Sequence, residues 1–223
     1  MTISDIKQTE WDAIADNEDD YSKQILRPIG DEDWAELAED IITKLHLNDT
    51  MHSLLDVGCG NAFLLTHFQQ RIGSITGIDY APSMIETAQK NIPNGIFSIS
   101  DASSLKFDDN YFDRTLCYSI FHYFRSDDHV LSVLDEICRV TKPGGIALIG
   151  DLLDKTQEKQ IKSNSDLLIE SELPLIKRYS EWRFIDFPSV LAYLTPYVQK
   201  IEILEQPKNF KTSYYRKDLR IWL

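Results

Sequence analysis

Leu54-Leu55-Asp56-Val57-Gly58-Cys59-Gly60-Asn61-Ala62 is the stretch whose reading decides how this chain folds. An apolar run ends in an acid, two glycines follow one residue apart, and an amphipathic pattern takes over. That order predicts a strand, a tight turn and a helix, with backbone bare enough for a ligand to come close. A glycine at position 63 would complete a dinucleotide fingerprint. Phe63 stands there instead, and the small residue, Ala62, comes one place early. The turn therefore reads as a nucleotide-type pocket that makes no close approach to a pyrophosphate.

Outward from this turn, short apolar runs alternate with helical patterns. Strands are predicted at His52–Asp56, Ser74–Asp79, Gly95–Ser100, Phe112–Tyr118 and Gly145–Asp151. Helices are predicted at Asn61–Arg71, Pro82–Asn91 and Asp127–Val140. Pro82 suits a first helical turn, and Pro143-Gly144-Gly145 stops the long helix and turns the chain. Such alternation means βαβ units and a parallel sheet. Past Asp151, Lys155–Ser165 reads as a loop or an exposed helix, and Phe187–Leu194 as a short helix. Val198–Leu204 and Tyr214–Leu223 read as antiparallel strands, since no full crossover helix separates them. The fold class expected is α/β: a mostly parallel, seven-stranded twisted sheet with helices on both faces and an antiparallel C-terminal hairpin. Residues 1–50 read as an N-terminal helical cap, part of the same domain as residues 51–223. Within it Leu37, Ile41, Ile42 and Leu45 fall at helical spacing, and Asp31-Glu32-Asp33 is placed to begin that helix.

Composition narrows the function classes. The 223 residues are 43% apolar and 26% charged, an ordinary globular composition with length enough for a full core. No apolar run approaches the roughly 20 residues that span a bilayer, and the polar first residues carry no export signal. A net charge of −13 argues against a nucleic-acid partner. From Lys177 to Leu223, however, nine Lys/Arg stand against five Asp/Glu, a net of +4 that could face an anionic substrate or be a solvated surface. Three cysteines, Cys59, Cys117 and Cys138, show no pairing pattern and suit a reducing, cytoplasmic setting. The five histidines form no metal-ligand spacing, so no metal is expected.

Three further segments carry chemistry. In Gly77-Ile78-Asp79-Tyr80-Ala81-Pro82-Ser83-Met84 an acid ends the second strand, 23 residues after Asp56. A carboxylate there can accept hydrogen bonds from both ribose hydroxyls of a nucleoside, or merely cap a helix. Ser100-Asp101-Ala102 closes the third strand with another acid, which could equally form a turn. Phe112-Asp113-Arg114-Thr115-Leu116-Cys117-Tyr118 leads into Ser119-Ile120-Phe121-His122-Tyr123-Phe124. Ligands of open α/β sheets bind beyond the carboxyl ends of strands, which puts Tyr118 to Tyr123 beside them.

In this order the segments resemble motifs I, II and IV of the class I (Rossmann-like) methyltransferases, the small-molecule type, which use S-adenosylmethionine (AdoMet). Arg139-Val140-Thr141-Lys142-Pro143-Gly144-Gly145 is similar to the family's turn before strand five, a structural element. The likeness spans roughly residues 50–152. It implies a cofactor site built from Asp56, Gly58, Cys59, Gly60, Asp79, Tyr80, Met84, Asp101, Ala102, Tyr118 and Ser119. By the same resemblance Asp79 holds the ribose, Tyr80 and Met84 lie near the adenine, and Asp101 meets the adenine amino group with the Ala102 backbone facing the ring. His122 is then the first candidate for a general base, with a packing histidine as the plain alternative, and Tyr123 the second.

The reaction implied is direct displacement: a heteroatom (O or N) of a small metabolite, anionic or sugar-derived among the options, takes the methyl group and leaves S-adenosylhomocysteine (SAH). A non-catalytic AdoMet-binding protein that supports a partner enzyme is the alternative. A nicotinamide reductase is disfavoured by Phe63. The expected partner is a small molecule, with no nucleic acid and no membrane, and the chain is expected to be a monomer or homodimer. Trp11 and Tyr21 stand out in an acidic stretch, either as a lid or as packing against the core.

Overall fold

The computed structural model describes residues 3–17, 20–24, 31–47, 50–165, 179–210 and 212–223. Its sheet holds β1 (Ser53–Val57), β2 (Ser74–Asp79), β3 (Ile96–Ile99), β4 (Phe112–Tyr118), β5 (Thr141–Leu153), β6 (Lys200–Glu205) and β7 (Arg216–Trp222). Their order is β3-β2-β1-β4-β5-β7-β6. Strands β1 to β5 run parallel, and β7 lies antiparallel between β5 and β6. This is the expected α/β class with its antiparallel end. The strand order switches direction at β1 and β4, where open sheets of this kind form their ligand crevice.

Among the described residues the helices are α1 (Ile3–Asn17), α2 (Tyr21–Gln24), α3 (Asp31–Leu45), α4 (Phe63–Thr66), α5 (Pro82–Asn91), α6 (Asp127–Val140), α7 (Glu158–Ser163) and α8 (Phe187–Leu194). Alternate side chains of a strand point to opposite faces, and two cores follow that parity. Leu55, Val57, Cys117, Ala147 and Ile149 pack with Val133 and Ile137 of α6 and Val190 of α8. Leu54, Leu116, Ile146 and Leu148 pack with Leu37 and Ile41 of α3 and Ala88 of α5. Each such buried aliphatic chain is worth about 1.5–3 kcal/mol, so helix and sheet adhere through a few residues apiece. Helix α3 thus covers the sheet itself. No helix of the described residues is long and apolar enough to cross a membrane.

Two expectations change. The helix over Asn61–Arg71 breaks after one turn, leaving α4 and a separate 3₁₀ turn at Gln69–Arg71. The Thr66 hydroxyl takes the Phe63 carbonyl at 2.6 Å, competing with the helical ladder. At the other change, Thr141 to Gly145 join β5 rather than separating it from α6: pairing with β4 shifts from Phe112↔Thr141 to Arg114↔Ile146, and the Pro-Gly-Gly segment forms the bulge. Beside it Asp113 ties three strands together. It accepts from the Ser53 amide at 2.9 Å and hydroxyl at 2.8 Å, and from Lys142 Nζ at 2.8 Å.

Candidate functional site

The carboxyl ends of β1, β2 and β4 open into one cavity of about 380 Å³. The Leu54–Ala62 turn forms its floor. Gly58 and Cys59 amides both donate to the Ile78 carbonyl, at 2.8 and 2.9 Å, which draws the β1 turn onto β2. Gly58 sits at φ 79°, and a Cβ there would come within 2.7 Å of Ile120. Gly60, at φ 52°, faces open space. Ala62 takes φ 59° at the start of α4, an uncommon conformation for a residue with a Cβ.

Asp79 joins the two turns. Its Oδ2 accepts from the Gly60 amide and its Oδ1 from the Ala81 amide, each at 2.9 Å. Asp79 also accepts from the Tyr80 amide and keeps lone-pair capacity for a ligand hydroxyl. Burial holds its carboxyl above the usual range despite these bonds. Asp56, behind it, is pushed up to about 8 by burial and then by the Asp79 charge. Burial also raises the Cys59 thiol and the Tyr80 hydroxyl, so neither ionises at neutral pH.

All eleven residues expected to hold the cofactor line this cavity: Asp56, Gly58, Cys59, Gly60, Asp79, Tyr80, Met84, Asp101, Ala102, Tyr118 and Ser119. Asp101 also makes the turn expected of a strand-end acid: its Oδ1 accepts from the Ser103 amide and hydroxyl. The two candidate catalytic residues separate. Tyr123 lines the cavity. His122 does not: it is 3% exposed, its ring packed 4.0 Å from Tyr123 and 4.7 Å from Trp182. Burial raises the Tyr123 hydroxyl, which stays protonated.

Several lining residues escape a reading of motifs. Trp11 of α1 meets Tyr123 edge to face at 6.2 Å and closes one side, whereas Tyr21 stays outside the lining. Helix α1 is pinned by Asp12, which accepts the Ser83 amide at the start of α5 at 2.9 Å. Asn61, 2% exposed, donates to the Tyr21 carbonyl and to Gln24 Oε1, both at 2.8 Å. Ser100 Oγ is buried against the cavity with no hydrogen-bond partner among the described residues. Asn61 and Ser100 sit inside the quoted motif stretches without standing out there, and the acidic, apolar-poor setting of Trp11 is the hint for that residue.

Among the described residues no Lys or Arg of the basic C-terminal section lines the cavity. Arg183 pairs with Asp127, Arg216 with Asp151, Lys217 with Glu205, and Lys200 and Arg220 with Glu202. Lys177, Arg178 and Lys211 lie outside the described residues. Among the described residues the cavity's one Lys or Arg is Arg125.

Comparison with known proteins points to methyltransferases. Residues 55–149 match the family model described as a methyltransferase domain. The chain is 26% identical to a demethylmenaquinone methyltransferase of Thermotoga maritima, over 92% of this chain and 87% of that protein. It is 32% identical over 118 residues to another from Staphylococcus epidermidis, covering 48% of each. The chain spans less than half the length of several curated relatives that it matches. In fold it resembles the N-methyltransferase NodS of Bradyrhizobium japonicum, solved with SAH, with TM-score 0.68, 13% identity and 97% of both chains covered. Over residues 55–149 the chain is thus similar to the methyltransferase-domain family, on a fold shared with solved methyltransferases.

Proposed function

We propose that this protein binds AdoMet in the cavity and transfers its methyl group to an oxygen or nitrogen of a small molecule. The observation that carries the reading is Asp79, buried at the tip of β2, with both oxygens already ordered by the β1 and β2 turns. The site suits a cationic nucleoside. Two buried carboxylates, Asp56 and Asp79, line it with little cationic compensation, and burial has raised both pKa values. A positive ligand would favour their charged forms. The unsatisfied Ser100 Oγ, beside Asp101, supplies a polar contact on the adenine side.

AdoMet, when bound, supplies a methyl carried on a sulfonium. The chain's part is to orient and to dry the site. Asp79 would hold the ribose, Asp101 and Ala102 the adenine, and the Asp56–Gly60 turn with Tyr118 and Ser119 the amino-acid end. Trp11 and Tyr123 exclude water, which favours a step in which charge disperses. Tyr123 is the nearest candidate to touch the acceptor; protonated, it positions a nucleophile by hydrogen bonding. His122 supports that ring from behind. Residues 1–50 act as the cap through Trp11 and Gln24.

The acceptor is a neutral or amine-bearing small molecule, because the cavity's described lining offers an anion only Arg125. Relatives named as acting on demethylmenaquinone and a sterol support a small, neutral acceptor. The net charge of −13 supports a role away from nucleic acid, and the unpaired cysteines a cytoplasmic one, as monomer or homodimer. Thermal unfolding with increasing SAH, and separately with NADH, tests the reading. SAH should raise the transition in step with its concentration, by about 2.7 kcal/mol at one hundred times its dissociation constant. Stabilisation by NADH alone would refute it. A metabolite screen reading SAH formation then identifies the acceptor.

A further inference from the structure

Behind the β4 side of the cavity lies a buried polar network that nucleoside binding leaves unexplained. Ser119, which lines the cavity, holds φ 66°, and Asp151, in the irregular part of β5, holds φ 64°. Neither is glycine, so both conformations are strained and persist only where the surroundings enforce them. The two residues are coupled. The Ser119 amide donates to the Gly150 carbonyl at 3.2 Å, and its hydroxyl donates to Asp151 Oδ2 at 2.6 Å.

Asp151 is anchored from several directions. Its fully buried carboxylate takes the Arg216 guanidinium, which lies 5.3 Å from the ring centres of both Trp182 and Tyr215. Its amide donates to Asp218 Oδ1 at 2.9 Å, and Asp218 Oδ2 accepts Lys44 Nζ of α3 at 2.7 Å. Helix α3 and the β6–β7 hairpin thereby clamp two strained residues at the tips of β4 and β5. A buried ion pair adds little net stability, so holding the fold together does not account for it.

The strand order says what the clamp serves. Asp101 follows β3 and Asp79 ends β2, so the far end of a nucleoside ligand runs over β1 and β4, toward Gly58 and Ser119. Because the Ser119 proton is committed to Asp151, its oxygen offers a ligand lone pairs only. An ammonium group offers donors only. We propose that Asp151, anchored by Arg216, is a positioning residue that fixes Ser119 as the hydrogen-bond acceptor for the ammonium at the amino-acid end of bound AdoMet. The proposal rests on the AdoMet reading of the cavity.

Calorimetric titration with SAH and with 5′-methylthioadenosine, which lacks the amino-acid end, tests it. Ser119→Ala and Ser119→Gly should each weaken SAH about 10-fold, the size of one charge-assisted hydrogen bond, and leave methylthioadenosine within about twofold. Asp151→Asn should do the same, and combined with Ser119→Ala should weaken SAH no further. If Asp151→Asn fails to fold, the Ser119 variants, which keep the Asp151–Arg216 pair, carry the test. Equal losses for both nucleosides, or unchanged SAH affinity in folded Ser119 variants, overturn this proposal alone. Wild-type protein that binds neither nucleoside overturns the AdoMet reading with it.

Discussion

Asp79→Asn separates the two duties assigned to one carboxylate. Asp79 accepts two backbone amides, from Gly60 and Ala81, at 2.9 Å each. An amide side chain keeps one acceptor and turns a donor toward the other N–H. Leaving that buried N–H unsatisfied costs about 1–3 kcal/mol. Against this, the variant no longer buries a charge, and burial already holds the Asp79 carboxyl above its ordinary pKa. The two effects offset, so we expect destabilisation of no more than about 2 kcal/mol. Ligand binding has no such offset. Hydrogen bonds to a charged acceptor are roughly twice as strong as neutral ones, and two ribose hydroxyls would lose that advantage. The expected loss is about 1.5–3 kcal/mol, or roughly 10- to 100-fold in SAH affinity. Urea unfolding reads the first quantity and calorimetric titration with SAH the second. A folded variant that binds SAH as tightly as the wild type refutes the reasoning and leaves Asp79 as a staple between two turns.

Gly58→Ala would force a side chain into φ 79° and within 2.7 Å of Ile120; a loss of about 1–3 kcal/mol in urea unfolding is expected from the conformation alone. Trp11→Ala removes one wall and its edge-to-face contact with Tyr123. Such pairs are worth about 0.5–1.5 kcal/mol, so urea unfolding should show a loss of about that size, and SAH, with one wall of its cavity gone, should bind more weakly. Asp56, pushed up to about 8 in the fold, holds its proton more tightly than in the unfolded chain. Its contribution is thus fully present below about pH 4 and is lost as pH rises through about 8. Urea midpoints of the empty protein should show that decline, and in Asp56→Asn the decline should flatten; an identical pH profile in the variant would exclude Asp56 as its source.

Much of the architecture could be read because its signals are local. Pro82 and the Asp79 ahead of it mark where β2 ends and α5 begins, and the helix over Asp127–Val140 has its expected bounds. The helix over Asn61–Arg71 did not survive, since a Thr66 hydroxyl bond to the backbone outweighed an amphipathic pattern. That the residues expected to hold a cofactor share one cavity has the same local reason: acids and glycines at strand ends are carried to one sheet edge by the alternation itself. His122 and Tyr123 show the limit. Adjacent in sequence, they part company because a short 3₁₀ turn directs one ring into the core and the other into the cavity.

The order of strands and helices, and with it a crevice paved by glycines and acids, was determined by the sequence taken a dozen residues at a time, because periodicity and turn chemistry act at that range. Only the tertiary structure decided what closes and braces the crevice. Trp11 reaches Tyr123, Asn61 reaches Gln24, and Lys44 reaches Asp218, 174 residues away. Such contacts depend on β7 entering between β5 and β6 and on a shift in the β5 register that brings Asp151 to Ser119. A buried charge finds its partner through the packing of whole elements, and no short window of residues carries that information.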